Sequence, residues 1–260
     1  MRRSVGIILL GISVVTWGCT NKSQPQQEVS QETVQDTAQY LVDQMIAYHG
    51  GDVYPQSSIS FVFRGRRYEA VKRKDTFTYQ RRYADSVKGE IYDVLTNDGF
   101  IRKINGEEVS LTEKQYTNYA NSLNSVVYFA YLPYGLNDPA VKKEYLGEVS
   151  IHDRPLEKIK VTFSQEGGGD DYDDVYVYWL DAETSQLRYL AYLFHVNDGG
   201  LRFRVGKNIR RVENILFADY TNYKGDMNQY SVYELDRLFE EGKLDSLSQI
   251  NLENIQVSLP

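Results

Sequence analysis

Cysteine is almost missing from this chain: Cys19 is the only one in 260 residues. No internal disulfide can form, and no cluster of thiolates can hold a metal. Histidine is nearly as scarce. His49, His152 and His195 lie far apart, and none belongs to a spacing such as H-E-x-x-H. Each reads as structural or solvated, and His49 reads as a cation at a helix C-terminus, where the dipole favours it. A G-x-S-x-G elbow, a P-loop and a dinucleotide fingerprint are all absent. Gly167-Gly168-Gly169 sits among acids, which repel phosphate. Basic residues number 29 against 36 acids, a formal charge of −7, and no basic run occurs. That balance argues against nucleic acid and against adhesion to anionic lipid by charge. No apolar run reaches the roughly 20 residues that cross a bilayer. These absences leave no enzyme class and no cofactor to expect.

What is present begins at the N-terminus. Arg2 and Arg3 precede an apolar run from Val5 to Val15, the length of a signal-peptide core. Thr16-Trp17-Gly18-Cys19 follows and resembles a bacterial lipobox, in which the cysteine thiol receives a diacylglycerol before cleavage. Thr16 and Trp17 depart from its commonest form. The expectation is a leader over residues 1–18, lipid attachment at Cys19, a polar tether over 19–32 and one domain over 33–260. Lipidation leaves no free thiol, so cysteine catalysis is excluded as well. Two or more acyl chains anchor stably where one does not. No acidic cluster follows Cys19, which favours an outer-membrane protein facing the periplasm.

Along the domain, Thr33 and Asp36 suggest a capping box. Val34, Ala38, Leu41, Val42, Met45 and Ile46 then recur at helical spacing until Gly50-Gly51. From Ser58 the period becomes two: Ile59, Phe61 and Phe63, then Phe77, Tyr79, Arg81 and Tyr83, then Ile91 to Leu95. Asn97-Asp98-Gly99 and Asn105-Gly106 are turn signals, the second a strong hairpin one. Thr112 and Gln115 open a second amphipathic helix, carrying Leu123 and Val127, that stops at Pro133 and Gly135. Strands return at Glu144 to Ile151, Leu156 to Phe163, Val175 to Leu180, Leu187 to Phe194 and Val212 to Tyr220. A short late helix over Ser231 to Phe239 and a strand at Ile255 to Leu259 end the pattern. The order predicts an α+β fold: a curved antiparallel sheet, a half-open barrel, with two or three covering helices.

One hairpin breaks the usual rule that an antiparallel sheet has a wet face. Val175, Val177 and Trp179 alternate with Tyr176, Tyr178 and Leu180. In the partner run Leu187, Tyr189, Ala191 and Leu193 oppose Leu190, Tyr192 and Phe194. Both faces ask for cover, and the chain carries 22 tyrosines and 10 phenylalanines to supply it. One reading is an apolar pocket inside the curved sheet, with Phe61, Phe63, Tyr79, Val127, Trp179 and Tyr192 as candidate lining. The other is a filled, tyrosine-rich core, since aromatics favour strands anyway.

The stretches SLNSVVYFAYLPYGLNDPAVKKEYLGE (Ser122 to Glu148) and EGGGDDYDDVYVYW (Glu166 to Trp179) resemble a lipoprotein family of Gram-negative bacteria defined by a domain of unknown function. That family is similar in layout to the LolA-like and LppX-like carriers, whose half-open barrel and helical lids hold acyl chains. The resemblance implies a membrane-anchored protein that binds or carries an apolar ligand, a lipid or an acylated protein. An envelope protein-interaction module is the alternative, and an enzyme a third. Two charged clusters remain. Asp170, Asp171, Asp173 and Asp174 are either an acidic turn or weak calcium ligands without the EF-hand order. Arg64, Arg66, Arg67, Lys72, Arg73 and Lys74 are either a polar sheet edge or a site for an acidic head group or partner.

Overall fold

In a computed structural model, residues 31–73, 75–166, 172–196 and 198–259 are described. The leader, Cys19 and Lys74 lie outside them, as do Asp170 and Asp171. Helix α1 (Gln31–His49) begins the described chain. Thr33, expected to open it, falls within this helical span. Strands β1 (Ser58–Phe63), β2 (Arg66–Lys72), β3 (Phe77–Asp85), β4 (Gly89–Thr96), β5 (Gly99–Ile104) and β6 (Glu107–Glu108) follow as an antiparallel meander. Asn105 and Gly106 turn β5 into β6 with φ of 52° and 90°, the left-handed pair that a two-residue hairpin loop needs.

Helix α2 (Glu113–Tyr131) opens on the expected Thr112–Gln115 capping box. Strands β7 (Val141–Ile151), β8 (Arg154–Phe163), β9 (Val175–Asp181), β10 (Leu187–Phe194), β11 (Gly200–Val212) and β12 (Ile215–Gly225) form a second meander. Helix α3 (Leu235–Glu240), β13 (Asp245–Ile250) and β14 (Glu253–Ser258) complete the chain. The strands divide into two seven-stranded antiparallel sheets, β14-β1-β2-β3-β4-β5-β6 and β13-β12-β11-β10-β9-β8-β7. The expected α+β architecture of antiparallel strands under a few helices is what the chain adopts, with β14 returning to pair with β1. Among the described residues no helix is long and apolar enough to cross a membrane.

Three cores hold these layers. Ala120, Leu123 and Val127 of α2 pack on Ile59, Phe61, Tyr68 and Ala70 of the first sheet. Ala38, Val42 and Met45 of α1 pack on Tyr176, Tyr178 and Leu180, one face of the β9–β10 hairpin. The opposite face, Val177, Trp179 and Ala191, meets Leu235 and Leu238 of α3. The hairpin greasy on both sides is therefore covered on both sides by the protein's own helices. A bulge between Leu187 and Tyr189 also moves Leu187 to the α1 side, beside Leu190 and away from Ala191. Each bulge inserts one residue and reverses the alternation beyond it.

Two polar networks pin the layers. Under α2, Asp93 is fully buried and accepts from Arg81 Nε at 2.9 Å and Arg102 Nε at 2.6 Å. Arg81 Nη1 also donates to Ser122 Oγ of α2 at 3.0 Å, and the Arg102 guanidinium lies 3.4 Å from the Tyr119 ring centre. On the far side of the second sheet, Asp236 of α3 accepts from Lys158 Nζ at 2.6 Å and Trp179 Nε1 at 3.0 Å.

His49 corrects an expectation. Its side chain is buried, Nε2 accepts from the Leu187 amide at 3.0 Å, and burial followed by Arg211 lowers its pKa to about 3. It is neutral at ordinary pH, not a helix-capping cation. The basic strand β2 is not a sheet edge either, because it pairs with β1 and β3. Its charges disperse: Arg66 stacks over Tyr83, Arg67 donates to Ser60, Lys72 pairs with Asp138 at 2.6 Å and Arg73 donates to the Ser57 carbonyl.

Candidate ligand tract around α2

Helix α2 presents its first face to the filled core of the first sheet. Its other face, Asn124, Ser125, Tyr128 and Phe129, borders three spaces that share walls. A cavity of about 200 Å³ opens where α2 meets the end of β1 and strands β12 and β13, lined by Phe63, Phe129, Ala218 and Ile250 among others. A second, of about 310 Å³, shares Ser125, Phe129 and Arg204 with it and is walled by Tyr176, Tyr192 and Phe194. A broader cleft of about 1000 Å³ shares Asn124, Tyr128 and Phe163 with the second and runs past Tyr79 and Tyr116.

The walls are aromatic and tightly interlocked. Tyr176 stacks on Tyr192 at 5.6 Å, Phe129 meets Tyr192 at 5.3 Å, and Phe163 meets Tyr176 edge-on at 5.7 Å. The Tyr128 and Tyr178 hydroxyls share a hydrogen bond of 2.8 Å. Burial raises the pKa of both hydroxyls, and it pushes Tyr220 up to about 12. These tyrosines stay neutral at ordinary pH, so they offer apolar faces with a few fixed hydroxyls.

Arg204 is the charged residue that both cavities share, with Arg64 on the wall of the first and Asp174 on that of the second. Arg204 of β11 lies 3.8 Å under the Phe129 ring and donates through Nη2 to the Tyr192 hydroxyl at 2.7 Å. Its Nε is buried with no hydrogen-bond partner, and so is Oδ1 of Asn222, its opposite number on β12.

Of the residues expected to line a pocket, Phe63, Tyr79 and Tyr192 each border one of these spaces. Phe61 and Val127 are fully buried in the first core and border none of the three. Trp179 is on the opposite face of the second sheet, anchoring α3 through Asp236. Sequence reasoning missed Arg204, Phe129 and Ser125. Arg204 alternates with Leu201, Phe203 and Val205 in β11, a strand that the sequence pattern does not single out. Its arginine face reads as the wet one, yet it points toward α2.

The acidic turn joins another element. His195 Nδ1 lies 3.5 Å from Asp173 and 3.6 Å from Asp174, and the three ligand atoms lie within 4.8 Å of one another. An imidazole with two carboxylates suits a first-row transition ion better than calcium, which prefers oxygen throughout.

Fold and site together define a class: an α+β protein of two open antiparallel sheets wrapped around a central helix with an aromatic-lined tract. The chain belongs to DUF6503, a family of unknown function, matched over residues 29–252. Both stretches that carried the lipoprotein-family resemblance fall inside that span. No curated protein matches the chain. Solved structures similar to it include a LolA superfamily protein from Nitrosomonas europaea, 9% identical, with 85% of this chain and 91% of that one covered at a TM-score of 0.45. A DUF1329 family protein from Desulfovibrio piger is 11% identical, with 84% and 92% covered at 0.43. A domain assigned to outer-membrane lipoprotein sorting from Vibrio parahaemolyticus is 6% identical, with 86% and 93% covered at 0.42.

Proposed function

We propose that this protein is a lipid-anchored envelope protein that binds an apolar or amphiphilic ligand in the tract around α2 and performs no chemistry on it. The observation that carries this reading is the contrast between the two faces of one helix. On the first, Leu123 and Val127 are fully buried among core side chains; on the second, aromatic walls border open cavities that no described side chain fills. Protein interiors are close-packed, and a well-formed apolar pocket with a few convergent polar groups is the usual form of a small-molecule site.

Mass spectrometry of organic extracts from the purified, detergent-free domain tests it. An amphiphile recovered in near-equimolar amount is the expected result. Ala218→Phe, which places a ring in the smaller cavity, is expected to reduce that recovery at least severalfold while the melting temperature holds. A clean, ligand-free domain that also ignores added fatty acids and lysolipids would overturn the reading.

Anchoring is a separate part of the proposal. With Cys19 lipidated, residues 19–32 tether the domain to the outer membrane on its periplasmic side. Cys19→Ser is expected to abolish incorporation of a clickable palmitate analogue and to move the protein to the soluble fraction. Labelling that persists in the variant would refute the assignment.

A further inference from the structure

We propose that the smaller cavity is a head-group site for a single-chain amphiphile with a compact anion, a carboxylate, and that Arg204 receives it. This rests on the ligand-binding reading above and gives its ligand a chemistry.

Four observations converge. Arg204 is only 8% exposed, and among the described residues no carboxylate lies within 4 Å of its guanidinium. A buried guanidinium with a free N–H is costly, because a polar group out of water without a partner forfeits its hydration. This chain does supply a partner elsewhere, since Arg81 and Arg102 share the carboxylate of Asp93.

Arg204 borders a cavity whose walls, among the described residues, contain a second arginine, Arg64, and no acid, while its unpartnered Nε is itself buried. Positive charge concentrated there, in a chain whose formal charge is −7, selects an anion.

Asn222, opposite Arg204 in the strand register, lines the same cavity and leaves Oδ1 unpartnered, while Nδ2 donates to Ser248 Oγ at 3.3 Å. The two amide orientations of an asparagine are distinguished only by their partners. Turned over, Oδ1 accepts from the Ser248 hydroxyl and Nδ2 becomes the buried atom with no partner among the described residues. A carboxylate in this cavity meets a guanidinium without a counter-charge and an amide, and charge-assisted bonds of this kind are the strong ones.

Finally, Val126, Ala218, Ile250 and Leu252 supply apolar wall beside Ser125 and Ser248, and the adjoining cavity, which shares Phe129 and Arg204, continues the aromatic surface toward Tyr192 and Phe194, with Asp174 also on its wall. A head and a few methylenes fit the first space, and the rest of the chain lies along the second.

The test compares dodecanoic acid with dodecanol and methyl dodecanoate, at pH 8, on the delipidated wild-type domain, by calorimetric titration. Hydrogen bonds to a charged group predict about 10- to 100-fold tighter binding of the acid. Arg204→Met is expected to remove that advantage and Arg204→Lys to restore part of it, with circular dichroism reporting the fold of each. Equal affinity for acid, alcohol and ester in the wild type overturns the head-group assignment and leaves the apolar-ligand reading standing. If none of the three binds, the apolar-ligand reading fails and the assignment falls with it. The wild-type comparison decides even where a variant does not fold.

Discussion

Both sheets send arginines toward α2, and the two sets meet opposite surroundings. Arg81 and Arg102 of the first sheet share a fully buried Asp93 and also reach the helix, through Ser122 and the Tyr119 ring. Arg204 of the second sheet has aromatic rings, one hydroxyl and a free N–H. In the first region both buried guanidiniums hydrogen-bond to a carboxylate. The second holds open volume and an unmatched donor side by side. A buried carboxylate serves the arginines on one side of the helix, and among the described residues none pairs with Arg204 on the other.

The comparison can be broken most forcefully at Asp93. Asp93→Asn leaves two buried guanidiniums without their counter-charge, and breaking a buried pair in this way costs about 3–5 kcal/mol. Urea unfolding should show the midpoint falling at constant slope. A loss below about 1 kcal/mol would mean that the first region tolerates unmatched charge too, and the contrast with Arg204 would dissolve.

His49 gives an intermediate case: one ring nitrogen is satisfied and Nδ1 is buried without a partner. Its folded pKa of about 3 lies below the ordinary 6.5, so the unfolded chain binds the proton first. The stability it contributes is complete above pH 6.5 and falls as the pH drops toward 3. At pH 5 that is about 2 kcal/mol less than at neutrality. Thermal melts between pH 7.5 and 4.5 should show this slope, and His49→Gln should flatten it. An unchanged slope in the variant would assign acid sensitivity to other groups.

The smallest effect is expected at Arg204 itself. Arg204→Met removes an unmatched charge and its contact with the Phe129 ring, and leaves an unbranched apolar chain in the aromatic pocket. Stability in the ligand-free state should change by less than about 1 kcal/mol, in either direction, since apolar replacement of a buried ion is often neutral. A loss like that at Asp93 would show that Arg204 is a structural residue after all.

Much of the local structure was legible before any coordinates. Asn105-Gly106 reads as a hairpin turn because only residues at ease with positive φ fit there, and the chain turns there. Thr112 and Gln115 read as a capping box and form one. The second half was harder. The strand expected over Val212 to Tyr220 is two strands, because Glu213 and Asn214 turn with φ of 45° and 68° and only the asparagine signals it. Strand β13, with sequence DSLSQI, has too little apolar content to announce itself and is held by its hydrogen bonds to β12.

The site was half legible for a related reason. Alternation shows that Phe63, Tyr79 and Tyr192 face inward, but not which inward face is filled. Trp179 and Tyr192 belong to one greasy hairpin, yet one is sealed by α3 and the other borders a cavity.

The sequence by itself determined the antiparallel strands, the two amphipathic helices and the surplus of aromatic surface. Those follow from residue period, capping and turn chemistry, which act over a few neighbouring positions. Tertiary structure alone decided where volume stays open and which arginine goes unmatched. A guanidinium is neutralised only by a carboxylate brought within a few ångströms, and strands distant along the chain set that distance.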